Sequence, residues 1–132
     1  MAAKVGIVLV SHSAALAEGA AELAGQIGGG AETIVTAGGT DDGRIGTSAA
    51  KVQRAVQAAD GGAGIVILPD LGSSVLTVRA LLAGPDELPA HVVMADAPFV
   101  EGAVAAAVAA AGDGDLDAVL EAAQEARHAR KL

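Results

Sequence analysis

Four short apolar runs, Val5–Val10, Thr33–Thr36, Ile65–Leu68 and Val92–Ala95, alternate with longer segments of helical spacing along this chain. Near-continuous apolar runs of this length read as strands buried on both faces, the habit of parallel sheets covered by helices. Ala14–Ile27 places Leu16, Ala20, Leu23 and Ile27 on one face and stops at Gly28-Gly29-Gly30. Ser48–Ala59 does the same with Val52, Ala55, Val56 and Ala59, and Ser74–Leu82 with Val75, Val78 and Leu82. Phe99–Ala111 is almost wholly Ala and Val, which predicts a helix buried on more than one side. Asp115 suits the cap of a last helix from Leu116 to about Arg130, and Arg127, Arg130 and Lys131 suit its carbonyl pole. The order βαβαβαβαα predicts an α/β fold in one domain over residues 1–132: a doubly wound, mainly parallel sheet flanked by helices, with right-handed crossovers.

Composition narrows the chemistry. The chain is 52% hydrophobic, nearly all of it Ala, Val, Leu and Ile, and Phe99 is its one aromatic residue. Such a core packs small aliphatic side chains closely and offers no aromatic platform for stacked bases. A net charge of −8 argues against a nucleic-acid partner, which needs clustered Lys and Arg. It suits solubility or a basic or neutral protein partner. There is no cysteine for a disulfide or thiolate site, and the first apolar run is too short for a signal peptide or a membrane span. The expectation is a cytoplasmic protein without a membrane partner.

The polar residues of interest follow the strands. His12 comes directly after the first run, and Asp70 just after the third. If both strands are central and parallel, the two emerge on one edge of the sheet, where open α/β folds place their chemistry. A histidine with one ring nitrogen held by a carboxylate can accept a phosphoryl group on the other. Helix N-termini at Ser13–Ala14, Gly46-Thr47-Ser48 and Gly72-Ser73-Ser74 offer donors for the charge, with the hydroxyls of Ser13, Thr47 and Ser73 beside them. The residues by themselves leave a plainer reading open, in which Ser13, Thr47, Ser73 or Ser74, and Asp70 only cap helices and His12 is a partly buried polar group. His91 and His128 read as structural and solvated, and Asp41-Asp42-Gly43 as an exposed turn, so no metal site is expected. No phosphate-loop or dinucleotide motif is present.

Four stretches together resemble a known family: SHSAALAEG at Ser11–Gly19, AGGTDDGRIGTSAAKV at Ala37–Val52, LPDLGSSVLTV at Leu68–Val78 and ADAPFVEGAVAAAV at Ala95–Val108. They are similar to the mannose-type IIA domains of the phosphoenolpyruvate-dependent phosphotransferase system. Ile45-Gly46-Thr47 favours the DhaM branch, which serves dihydroxyacetone kinase. The resemblance implies that His12 carries the phosphoryl group on Nε2, that Asp70 holds Nδ1, and that Gly46, Thr47, Gly72 and Ser73 surround it. It implies HPr as donor and ADP on DhaL, working with DhaK, as acceptor. It further implies a homodimer with the Ala/Val-rich helix as its seam, no tightly bound cofactor, and any HPr-like or enzyme I-like part supplied by separate proteins. Rival readings are a regulatory module of the same fold, a sugar-transporter IIA component, and a phosphatase-like enzyme. The last lacks the several arginines that usually clamp phosphate.

Overall fold

Residues 3–132 are described by the structure, a computed structural model. Strands β1 (Gly6–Ser11), β2 (Ile34–Gly38), β3 (Ile65–Pro69) and β4 (Val92–Met94) form one sheet in the order β2-β1-β3-β4, and every pairing is parallel. Between and after them run α1 (Ala14–Gly28), α2 (Ala49–Ala59), α3 (Gly72–Ala83), α4 (Phe99–Ala111) and α5 (Leu116–Glu125). The fold is the expected α/β arrangement, with each strand within two residues of its predicted bounds.

The period of two along a strand divides the core in two. Ile7, Leu9, Val66 and Leu68 point to the face covered by α1, α4 and α5, where they meet Ala20, Ala24, Ala103, Ala106, Val119 and Ala123. Val8, Val10, Ile65 and Ile67 point to the other face, against Val52 and Val56 of α2 and Val78 and Leu81 of α3. The central strands β1 and β3 are buried at every position, as a strand covered on both faces must be.

Three helices differ from the periodicity reading. On α1 the buried row is Ala17, Ala20 and Ala24, while Leu16, Leu23 and Ile27 are 45%, 43% and 61% exposed. The cause is close approach: a Cβ on Gly28 of α1 would lie 2.7 Å from the Ala107 Cβ of α4, so the small residues face inward and the large ones are left outside. Helix α3 begins two residues early, and its core row is Ser74, Val78 and Leu81 rather than Val75, Val78 and Leu82. Helix α5 stops at Glu125 and tightens into a 3₁₀ turn at Ala126–His128. There Arg127 donates through Nε to the Gln124 carbonyl and through its guanidinium to the Asp96 carbonyl, so the basic end docks on α5 and the β4–α4 connection rather than extending the helix.

Gly38 ends β2 against the start of α1, where an added Cβ would sit 2.6 Å from the Ala14 Cα and 2.9 Å from the Ser13 carbonyl oxygen. Backbone cannot yield there as a side chain can. Gly38→Ala is expected to lower unfolding free energy by about 1–3 kcal/mol. Gly19→Ala, on the exposed face of α1 with nothing within 4 Å of the new Cβ, is expected to raise it by ~0.5–1 kcal/mol. Urea titration of the two variants checks both signs.

Candidate functional site

Strands β1 and β3 lie side by side, yet the chain leaves β1 toward β2 on one side and β3 toward β4 on the other. Their carboxyl ends therefore open a crevice that no crossover covers. His12 follows β1 and Asp70 follows β3, and the Asp70 N–H donates to the Val10 carbonyl at 2.9 Å, carrying the pairing one residue beyond the strand. His12 Nδ1 lies 2.9 Å from Asp70 Oδ1. The histidine side chain is 20% exposed and the aspartate 6%.

Asp70 is surrounded by donors. Oδ1 accepts from His12 Nδ1 and from the Leu71 N–H at 2.7 Å, and Oδ2 accepts from Ser11 Oγ at 2.9 Å and from the His12 N–H at 3.0 Å. Burial pushes its pKa up. The His12 N–H, Ser74, the His12 ring and the Leu71 N–H outweigh that, and hold the carboxyl down at about 2. An ionised carboxylate facing Nδ1 requires the proton on Nδ1. In the neutral ring the lone pair is then on Nε2, where Ser73 Oγ stands 2.5 Å away as its donor.

The other predicted residues divide by role. The Ser13 hydroxyl caps α1, accepting from the Leu16 N–H at 3.2 Å, and does not reach the histidine ring. Gly46 donates its N–H to the His12 carbonyl at 2.9 Å. Its φ of 150° and the Thr40 Cγ2, 2.6 Å from any added Cβ, explain the glycine. Ser48 rather than Thr47 caps α2, and the Thr47 hydroxyl turns to Ser74 Oγ at 3.0 Å. Gly72 and Ser73 open α3 behind Leu71, whose side chain caps nothing, so their N–H groups have no acceptor within the helix. Asp70 does not cap α3. Asp41 and Asp42 are engaged in an exposed turn with Ser48, Arg54 and Arg44.

Two residues of the site lay outside the predicted set. Ser11 and Ser74 are the only buried polar residues among those described, both 0% exposed. Ser11 donates to Asp70 and accepts from the Ser13 N–H at 3.0 Å, while Ser74 lies 3.2 Å from His12 Nδ1. Their signal in the sequence is a serine at the inward end of an apolar strand and another at helical spacing from Val78 and Leu81.

The family model EIIA-man, described as the PTS system fructose IIA component, matches residues 6–120. The chain belongs to this family. It is 36% identical over 118 residues to a Listeria innocua protein, PEP-dependent dihydroxyacetone kinase 2, phosphoryl donor subunit DhaM, covering 89% of this chain and 94% of that one. It is 39% identical over 131 residues to the Providencia stuartii phosphoryl donor subunit DhaM, covering 96% of this chain and 28% of the relative. The chain thus spans less than a third of the length of such longer relatives. The crystal structure of the unknown-function protein EF1359 superposes with a TM-score of 0.78 at 36% identity, over 93% of this chain and 95% of that one. Among the described residues, no helix is long and apolar enough to cross a membrane.

The depressed pKa of Asp70 has a definite sign. A carboxyl held at about 2 when folded, against 3.8 otherwise, adds stability above the higher value, and that contribution fades as pH falls toward the lower one. Asp70→Asn lacks this contribution. The stability gap between wild type and Asp70→Asn, measured by urea unfolding at a series of pH values, is expected to be constant at neutral pH and to shrink between about pH 4 and pH 2.

Proposed function

We propose that this chain is a phosphohistidine carrier of a phosphoenolpyruvate-dependent dihydroxyacetone kinase system. His12 takes a phosphoryl group from HPr on Nε2 and passes it to ADP held by DhaL, which works with DhaK in the cytoplasm. The observation that carries this reading is the asymmetry of the His12 ring: Nδ1 is pinned to an ionised carboxylate, and Nε2 faces outward with only a serine hydroxyl before it. The names of the relatives, phosphoryl donor subunits of a dihydroxyacetone kinase, agree with it.

The chemistry follows from these positions. Ser73 Oγ swings from Nε2 to the incoming phosphoryl oxygen, which frees the lone pair. The Nε2–P bond forms as the donor's N–P bond breaks. Nδ1 keeps its proton throughout, and Asp70 offsets the positive charge left on the ring. The N–H groups of Gly72 and Ser73, at the positive end of α3, face the phosphoryl oxygens. Handing the group to a nucleoside diphosphate breaks the Nε2–P bond as a bond to the terminal diphosphate oxygen forms, so the protein is a carrier and not the seat of the sugar's own chemistry. Gly46 and Thr47 act one step back, through the His12 carbonyl and through Ser74.

The proposed assembly is a homodimer, and its seam differs from a simple alanine face. Ala103, Ala106, Ala107 and Ala110 of α4 are spent on the core. Val100 and Val108 remain exposed on α4, as do Leu16, Leu23 and Ile27 on α1, which packs against α4 where Gly28 meets Ala107. Leu23→Glu is expected to give a monomer by sedimentation velocity with its fold intact by circular dichroism; a dimer unchanged by this substitution would place the seam elsewhere.

The carrier role is tested by incubating the protein with phosphoenolpyruvate, enzyme I and HPr, then measuring intact mass before and after acid. Wild type is expected to gain one acid-labile phosphate and His12→Ala none. Asp70→Ala is expected to be phosphorylated about a hundredfold more slowly, the scale of a misplaced reacting group. No phosphate on wild type, with HPr shown to be phosphorylated, would overturn the reading.

A further inference from the structure

Ser11 is the last residue of β1 and is fully buried. A buried hydroxyl persists only where its hydrogen bonds are met. Both bonds of Ser11 are met, and both have a fixed direction. Its Oγ stands 2.9 Å from Asp70 Oδ2, and an ionised carboxylate only accepts, so Ser11 donates. The Ser13 N–H, 3.0 Å away, only donates, so Ser11 Oγ accepts. The two bonds run one way, from the Ser13 backbone through Ser11 into the carboxylate.

Together they bracket His12. One fixes the residue after it, since a serine hydroxyl bonded to the N–H two positions on closes a tight local turn. The other fixes the carboxylate that meets its ring at Nδ1. The backbone that carries the ring and the carboxylate that orients it are thus both referred to one atom, Ser11 Oγ. The other backbone donors to Asp70 do not serve this way: the Leu71 N–H belongs to the next residue in the chain, and the His12 N–H moves with the histidine itself. Ser11 is anchored in the centre of the sheet, where β1 pairs with β2 as far as Ser11 and with β3 as far as Val10. We propose that Ser11 is a positioning residue that locks the Asp70 carboxylate and the His12 backbone in one arrangement and so sets how fast Nε2 gains and loses the phosphoryl group. This deepens the carrier reading and rests on it. The transfer is otherwise as before: the Nε2–P bond forms as the donor's N–P bond breaks, and Ser11 neither bonds to phosphorus nor gives up its proton.

The test compares wild type with Ser11→Ala and with Ser11→Cys, which keeps a γ atom in place but donates weakly. In the unphosphorylated protein, the Asp70 ¹³Cγ resonance is followed from pH 6 downward. Its titration is expected to begin about one pH unit higher in both variants, the scale of one lost hydrogen bond to a charged group. The Ser13 amide is expected to exchange with solvent about tenfold faster in both. In the second arm, phosphoryl exchange with HPr is expected to slow about tenfold in each direction, a smaller misplacement than loss of Asp70 itself. A serine that only fills space at the end of β1 predicts that Ser11→Cys titrates and exchanges like wild type, and that result overturns the proposal. So does a wild-type rate in Ser11→Ala. Ser11→Cys decides the matter if Ser11→Ala fails to fold, and an unprotected Ser13 amide in wild type overturns the proposal without any variant. The carboxyl and amide readouts need no phosphoryl donor, so a wild type that takes no phosphate sinks the carrier reading while leaving the Ser11 bonds separately testable.

Discussion

Asp70 is a carboxylate at the rim of an aliphatic sheet, 6% exposed, and removing such a group from water is costly unless donors replace the water. The site is arranged to replace it. Two backbone N–H groups, one buried serine from β1 and the His12 ring all converge on the carboxylate. Those donors come from segments far apart in sequence, so the charge ties the ends of β1 and β3 together as it orients the histidine. The geometry of Nε2, the placing of Ser73 and the Thr47–Ser74 contact all follow from where this carboxylate sits.

The scaffold that holds it is built from small residues. With one aromatic side chain in the chain, the core gains its density from close approach of backbones, seen where Gly28 meets Ala107 and where a Cβ added to Gly102 would lie 3.0 Å from the Leu68 and Ala97 side chains. Dispersion contacts of this kind are individually weak and depend on fit. The same economy turns larger residues outward on α1, which is why a helix with Leu16, Leu23 and Ile27 on one side hides its alanines instead. An apolar surface is the by-product.

Much of this was legible in the residues. Buried strands on both faces leave continuous Val/Ile/Leu runs, and β1 and β3 are recognisable for that reason. The β-after-α alternation leaves few topologies once crossovers are right-handed. His12 and Asp70 stand out because each is the first strongly polar side chain after a buried run. Helix faces were less legible on α1 and α3. Hydrophobic periodicity assumes that the large apolar residue faces inward, and neither an alanine-packed interface nor a satisfied buried serine obeys that assumption. Ser11 and Ser74 were hidden by the same logic, since a serine next to a strand or at a helix start reads first as a cap.

The sequence by itself determined the strand and helix order, the parallel sheet, and the edge of that sheet on which a histidine and an aspartate must emerge, because backbone periodicity and strand burial are local properties. Only the tertiary structure decided which oxygen of Asp70 each donor meets, that Ser13 serves a helix while Ser73 faces Nε2, and that Thr47 acts through Ser74. All but the Ser13 cap depend on distances between residues 27 to 62 positions apart. They are set by how α3 rotates against β1 and β3 when its core row is packed, and no local pattern carries that rotation.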